Sequence, residues 1–293
     1  MTMIKVGTRT SALAMKQTEL VIDAVKEKNQ DISFEIVPIK TKGDKLLSVS
    51  LADFGGKGAF VTEFEEALLD GTIDLAVHSA KDIPMELSEG LEIWAALPRA
   101  DARDVLLTRK GQAAKELRIV GTSSKRRELQ IKELYGVQCA LLRGNVPTRI
   151  EKLKNDMYDG IILAAAGIDR LGLSTDEDLD YRYFSVDEMI PAGGQGIIVL
   201  EGRKNDGLKS LFTAVKDENA EIELETERFI LNCLQAGCHE PVGVYSRVEG
   251  NQITISLFLE REGKARRGTV KGETFKRLQL AGQLIDEVKH YEG

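Results

Sequence analysis

Guanidinium groups crowd one stretch of this sequence. Arg143-Gly144-Asn145-Val146-Pro147-Thr148-Arg149 follows an apolar run and precedes a helical pattern, and Arg126-Arg127 opens the helix after the preceding short strand. A guanidinium makes bidentate, charge-assisted pairs with carboxylates or phosphates, so several at one sheet edge suit a ligand with more than one such group. Singly, each is an ordinary solvated charge of little consequence; clustered, they read as an anion site. Over 118–149 the basic residues Arg118, Lys125, Arg126, Arg127, Lys132, Arg143 and Arg149 meet only Glu128 and Glu133, a balance of +5 in a chain of formal net charge -7. A nucleic-acid groove interleaves aromatics with its basic residues, and this stretch has only Tyr135. Small carboxylates or phosphates are the expected ligands.

Three other stretches carry groups capable of chemistry. His78-Ser79-Ala80-Lys81-Asp82-Ile83-Pro84 follows an apolar run, which puts its polar side chains at a sheet edge. Asp82 reads either as a group that stabilises a cation and relays a proton or as a turn residue paired with Lys81; His78 reads as a structural side chain. Residues 45–60 contain Gly55-Gly56-Lys57-Gly58 but lack the spacing and the Lys-Ser/Thr ending of a P-loop, leaving a mobile lid or a plain surface loop. Gln235-Ala236-Gly237-Cys238-His239-Glu240-Pro241 sets Cys238 in a turn. A buried cysteine, a reactive thiol and a metal ligand with Cys233 and His239 are the readings, and the lack of a second ligand pair makes the metal reading the weakest.

The elements that must hold these groups alternate strand and helix, the signature of α/β domains with a largely parallel sheet. The pattern predicts strands over 4–6, 34–39, 73–77 and 93–97 and helices over 11–29 and 61–69, then a boundary near Pro98. It restarts with strands over 119–120, 138–142 and 161–164 and helices over 124–135 and 148–155. The two units open alike: Val6-Gly7-Thr8-Arg9-Thr10-Ser11 and Val120-Gly121-Thr122-Ser123-Ser124 each put Gly-Thr and a serine between strand and helix, where free amides attract anions. Pro191-Ala192-Gly193-Gly194-Gln195-Gly196 reads as a crossover into a strand over 197–200. Beyond it a helix over 221–234, strands over 242–245 and 268–271, a hairpin at Gly250-Asn251 and a helix over 274–291 make a small α+β domain.

At 293 residues, with 42% apolar and 30% charged, the chain is long enough for two or three compact domains. Its cysteines, Cys139, Cys233 and Cys238, are odd in number and irregularly spaced, which favours a reducing compartment, the cytoplasm, over a disulfide framework. No apolar run approaches membrane-spanning length, and no secretory signal pattern opens the chain.

Several motifs, in order, resemble those of porphobilinogen deaminases: Gly7 to Ser11, Lys42-Gly43-Asp44, Gly55-Gly56-Lys57-Gly58-Ala59-Phe60, His78 to Pro84, Gly121 to Arg127, Arg143 to Arg149, Ala166-Gly167-Ile168-Asp169-Arg170-Leu171-Gly172, the crossover glycines, and Gly237-Cys238. The resemblance implies an α/β fold with two periplasmic-binding-protein-like domains facing a cleft, 1–98 plus 196–214 and 99–195, and a small α+β domain, 215–293. It implies a dipyrromethane cofactor thioether-linked to Cys238 and held by Ser11, Lys81, Asp82, Ser124, Arg126 and Arg127. Arg9, Arg143, Arg149 and Arg170 would grip the acetate and propionate groups of porphobilinogen and the growing chain, with Lys57 and Phe60 on a lid. Asp82 would be catalytic, stabilising positive charge while porphobilinogen loses ammonia, and four condensations would precede hydrolytic release of a linear tetrapyrrole. The implied enzyme is a monomer that needs no metal, nucleotide, nucleic acid or membrane. The chain departs from the usual family pattern at Ala80, Ala236, His239 and Glu240. The alternatives are a non-catalytic anion-binding protein on the same two lobes and, against the acidic charge, a nucleic-acid-binding regulator.

Overall fold

The computed structural model describes residues 2–41, 61–236, 240–261 and 263–290. The chain forms two compact units, Met1–Ala100 with Ile197–Ile222, and Asp101–Gly196 with Glu223–Gly293.

The first unit contains β1 (Thr2–Thr8), α1 (Ala12–Lys28), β2 (Ile32–Pro38), α2 (Thr62–Leu69), β3 (Leu75–Ser79) and β4 (Leu91–Ala96); β10 (Ile198–Arg203) joins it from far along the chain. The five-stranded sheet runs β2-β1-β3-β10-β4, with β1, β2 and β3 parallel and β10 antiparallel to both its neighbours. Side chains alternate across it. Ile4, Val6, Leu75, Val77, Ile198 and Leu200 face α1 and Phe212, whereas Ala76 and Ile73 lie with Phe64, Ala67 and Leu68 of α2. Trp94 stacks on Phe212 at 5.5 Å and donates to the Arg203 carbonyl at 3.1 Å. It lies so close to Gly202 that a Cβ there would sit 2.2 Å from the indole, so only glycine fits.

The second unit repeats the plan with β5 (Asp104–Arg109), β6 (Ile119–Gly121), α3 (Lys125–Tyr135), β7 (Gln138–Ala140), α4 (Val146–Lys154), β8 (Gly160–Ala164), α5 (Ala165–Arg170) and β9 (Leu179–Tyr183), in the order β7-β6-β8-β5-β9. The correspondence reaches single residues. Arg203, ending β10, donates to the Leu68 and Ile73 carbonyls and pairs with Asp74, which accepts from the Lys5 amide. Arg109, ending β5, donates to the Leu153 and Tyr158 carbonyls and lies 4.0 Å from Asp159, which accepts from the Arg118 and Ile119 amides. In both units an arginine and an aspartate tie down the loop that feeds the third parallel strand.

The pattern predicts largely parallel sheets, and four strands of each sheet do run the same way; the fifth, β10 in one and β5 in the other, runs against them, antiparallel to both its neighbours. β5 and β10 each follow a passage of the chain from one unit into the other, so neither needs the crossover helix that parallel pairing within a unit demands.

The C-terminal region has α7 (Glu218–Cys233), an antiparallel sheet of β11 (Val242–Glu249), β12 (Gln252–Arg261) and β13 (Lys264–Glu273), and α8 (Arg277–His290) packed on β12 and β13; α6 (Lys209–Thr213) precedes it. The outer edge of β11 is finished by groups from elsewhere. The Val244 amide donates to the Pro191 carbonyl at 2.8 Å, the Ser246 amide to Glu227 at 2.7 Å and the Val248 amide to Glu223 at 2.9 Å. The two buried glutamates stand one helical turn apart on α7, matching alternate amides of the strand. Among the described residues no helix is long and apolar enough to cross a membrane.

Candidate active site

In the first unit β1 and β3 are parallel neighbours, with Val6 opposite Leu75 and Gly7 opposite Ala76. The segments after them therefore emerge at the same carboxyl edge, where open α/β sheets bind ligands. After β1 come Arg9 and Ser11, whose hydroxyl caps α1 by accepting from the Ala14 amide at 3.3 Å. After β3 the chain makes one 3-10 turn, Ala80–Asp82, fastened by the Ala80 amide to the Ile197 carbonyl at 3.0 Å and by buried Ile83. Lys81 is half-buried and Asp82 exposed.

Two consecutive residues anchor that turn from opposite faces of the sheet. Ser79 accepts from Gln17 of α1 at 2.8 Å. His78 points the other way, edge-on to Phe64 with ring centroids 4.9 Å apart. Its Nε2 lies 3.0 Å from Oε2 of Glu201, an ion-pair distance, without an aligned hydrogen bond between them.

In the second unit Ser124 caps α3, accepting from the Arg127 amide at 3.5 Å. Arg126 and Arg127 are buried, both against Asp104 at the start of β5. Arg126 Nη1 lies 2.6 Å from one carboxylate oxygen, and Arg127 reaches the other through Nε at 3.0 Å and Nη2 at 2.8 Å. Gln195 donates to the same carboxylate at 2.9 Å. Burial alone would raise the Asp104 carboxyl; the charges of Arg126 and Arg127 overrule it and hold it well below the usual carboxylate range. Arg127 uses all three guanidinium nitrogens, taking the Ile162 carbonyl and the Gln195 amide oxygen as further acceptors. Arg126 bonds only through Nη1, to Asp104 and the Ile190 carbonyl, and its Nε is buried without a partner among the described residues. Two guanidiniums thus share one carboxylate, leaving an excess positive charge and a spare donor.

The remaining arginines lie at the same edge. Arg143 follows β7, and Arg149 lies in the first turns of α4, its Nε donating to the Gly144 carbonyl at 2.7 Å. Asn145 caps that helix, and Gly144 takes a φ of +117°, where a Cβ would lie 2.9 Å from the Thr148 methyl. Arg170, ending α5 beyond β8, donates to the Gly196 carbonyl at 2.7 Å, and burial holds it below the ordinary arginine value. Each unit thus brings its own expected residues to one edge: Arg9, Ser11, Lys81 and Asp82 in the first, Ser124, Arg126, Arg127, Arg143, Arg149 and Arg170 in the second. Cys238, Lys57 and Phe60 lie outside the described residues.

Gln17, Gln130, Asp104 and Glu201 belong to no motif read from the sequence. Gln130 grips the backbone of Ile190 from both sides, accepting from its amide at 2.8 Å and donating to its carbonyl at 3.1 Å. Gln17 and Gln130 hold the same place relative to the capping serines Ser11 and Ser124, so the internal repeat was the signal that could have found them.

Residues 4–209 match the family model described as porphobilinogen deaminase, dipyromethane cofactor binding domain, and residues 221–287 match the porphobilinogen deaminase C-terminal domain. The porphobilinogen deaminase of Clostridioides difficile is 42% identical over 304 residues, covering 99% of each chain. That of Exiguobacterium sibiricum is 46% identical over 262 residues, 87% of this chain and 84% of its own. Among solved structures, a Salmonella typhimurium periplasmic binding protein of high arginine specificity is similar at a TM-score of 0.43 and 16% identity, covering 75% of this chain and 94% of its own.

Proposed function

The chain belongs to the porphobilinogen deaminase family, and on that premise we propose how its residues share the work of a hydroxymethylbilane synthase. The activity is the deaminative head-to-tail condensation of four porphobilinogen molecules and the hydrolytic release of a linear tetrapyrrole. The observation that carries the division of labour is the pair of buried guanidiniums on one carboxylate, with the Arg126 Nε unpartnered among the described residues. That donor set fits a group bearing several carboxylates, as dipyrromethane does.

When bound, the dipyrromethane supplies the pyrrole carbon from which the chain grows. Arg126, Arg127, Ser124, Ser11 and Lys81 would hold its acetate and propionate groups, while Asp104 keeps both arginines in place. Cys238 is the thioether anchor. Arg9, Arg143, Arg149 and Arg170 grip the carboxylates of incoming porphobilinogen and of the growing chain. Asp82, exposed on its anchored turn, places a carboxylate where positive charge develops as ammonia leaves, and takes and returns protons there.

Mass spectrometry tests this reading. The purified protein is expected to exceed its 32.3 kDa chain by two linked pyrrole units, carried on the peptide that contains Cys238 and on no other cysteine peptide. An unmodified Cys238 in protein that still forms the tetrapyrrole removes the anchor. Reversible porphobilinogen binding with neither adduct nor turnover supports the non-catalytic two-lobed binder instead.

A further inference from the structure

Glu201 stands in the middle of β10 with its side chain wholly buried. The antiparallel register pairs it with Ala76 and pairs Val199 with His78, so Glu201 and His78 are diagonal neighbours on the face that Phe64, Ala67, Leu68 and Ile73 make apolar. Among the described residues His78 is its only ion-pair partner, at 3.0 Å, and neither carboxylate oxygen has an aligned hydrogen bond. A buried carboxylate in that condition costs stability, and an apolar side chain of similar volume would pack there more favourably. Stability therefore does not account for it. Its place in the chain does: His78 leads directly into the turn that presents Asp82, and its neighbour Ser79 is pinned on the opposite face by Gln17.

We propose that Glu201 is a positioning residue for the condensation, setting through His78 where the turn after β3 presents Asp82. This rests on the role given to Asp82 above.

The test uses full-length protein carrying its cofactor, with Glu201→Met, Glu201→Gln and each variant's thermal midpoint. Glu201→Met is expected to lower kcat about tenfold while KM stays within about threefold, because the group acts on the transition state and not on substrate capture. Its thermal midpoint is expected to hold or rise. Glu201→Gln, whose amide oxygen still faces Nε2, is expected to recover about half of the lost activity on a logarithmic scale. In an Asp82→Asn background, read as the rate of the first pyrrole-unit mass addition, Glu201→Met is expected to cost less than about twofold more.

A lowered thermal midpoint with kcat intact makes the pair a plain structural contact and overturns the proposal; so does an equal loss in both backgrounds. Full turnover by Asp82→Asn alone removes the Asp82 assignment and this inference together, whereas silent Glu201 variants beside an impaired Asp82→Asn remove only this one. Should Glu201→Met not fold, His78→Gln takes its place in the cycle with the same expectation.

Discussion

The two α/β units share a sheet plan and treat one problem in opposite ways. Each buries a carboxylate on the strand that enters its sheet antiparallel. Asp104 on β5 meets two guanidiniums and an amide, every contact at bonding distance. Glu201 on β10 meets one imidazole, misaligned. The second unit therefore has a charge cluster that fixes the backbone at Ile162 and Ile190 and the side chain of Gln195. The first has a looser contact behind an exposed aspartate. Under the division of labour proposed above, the difference would separate holding from reacting: a site that retains a polyanion through several cycles needs rigid cations, and one that follows a shifting charge needs an anchored but adjustable turn.

The largest way to break this contrast is Asp104→Asn. Removing one partner from a buried ion cluster leaves uncompensated charge and is expected to destabilise the protein by about 3–5 kcal/mol, measured by urea unfolding at neutral pH. Because the folded-state carboxyl is depressed, its contribution is fully present above the unfolded value near pH 4 and is lost as pH falls toward the depressed folded value. The gap between wild type and variant should thus stay constant from neutral pH down to about pH 4 and narrow below it. A gap that widens in acid would show that Asp104 is not held ionised.

Asp82→Asn is expected to do the reverse, lowering turnover on the order of 100-fold while urea stability stays within about 0.5 kcal/mol, since the side chain is exposed. Loss of stability of the same size as Asp104→Asn would erase the distinction between the units.

The smallest expected effect sharpens the contrast at the repeated glutamines. Gln130→Leu removes two buried backbone contacts and should cost about 1–3 kcal/mol, whereas Gln17→Leu removes one side-chain bond and should cost nearer 1 kcal/mol. Equal losses would mean that the two α/β units anchor their edges equally firmly.

What is legible in the sequence is local. Ser11 and Ser124 were legible because a helix cap is decided within a few residues, and α1, α3 and α4 followed from their spacing. β3 was expected over 73–77 but spans Leu75–Ser79, because His78 and Ser79 are polar yet paired in the sheet with Val199 and Ile198. β5 was not expected at all: it opens on a buried aspartate whose partners lie far along the chain, so Val105 to Leu107 alone is too short a run to declare a strand. α5 and β9 were missed for a related reason, being short and supported mainly by neighbours from distant sequence. The arginines were legible as a charge cluster. That two of them share Asp104 was not, since spacing carries no information about which cations a fold buries.

The finished edge of β11 limits how this protein can be cut and inherited. Its amides at Val244, Ser246 and Val248 are met by Pro191 and by two glutamates on α7. The last third of the polypeptide is consequently no exchangeable cassette. A chimaera joined downstream of α7 would import a sheet whose partners stayed behind in the donor, and its open edge would recruit copies of itself. Recombination that conserves a folded product has to carry crossover loop, helix and sheet as one heritable block.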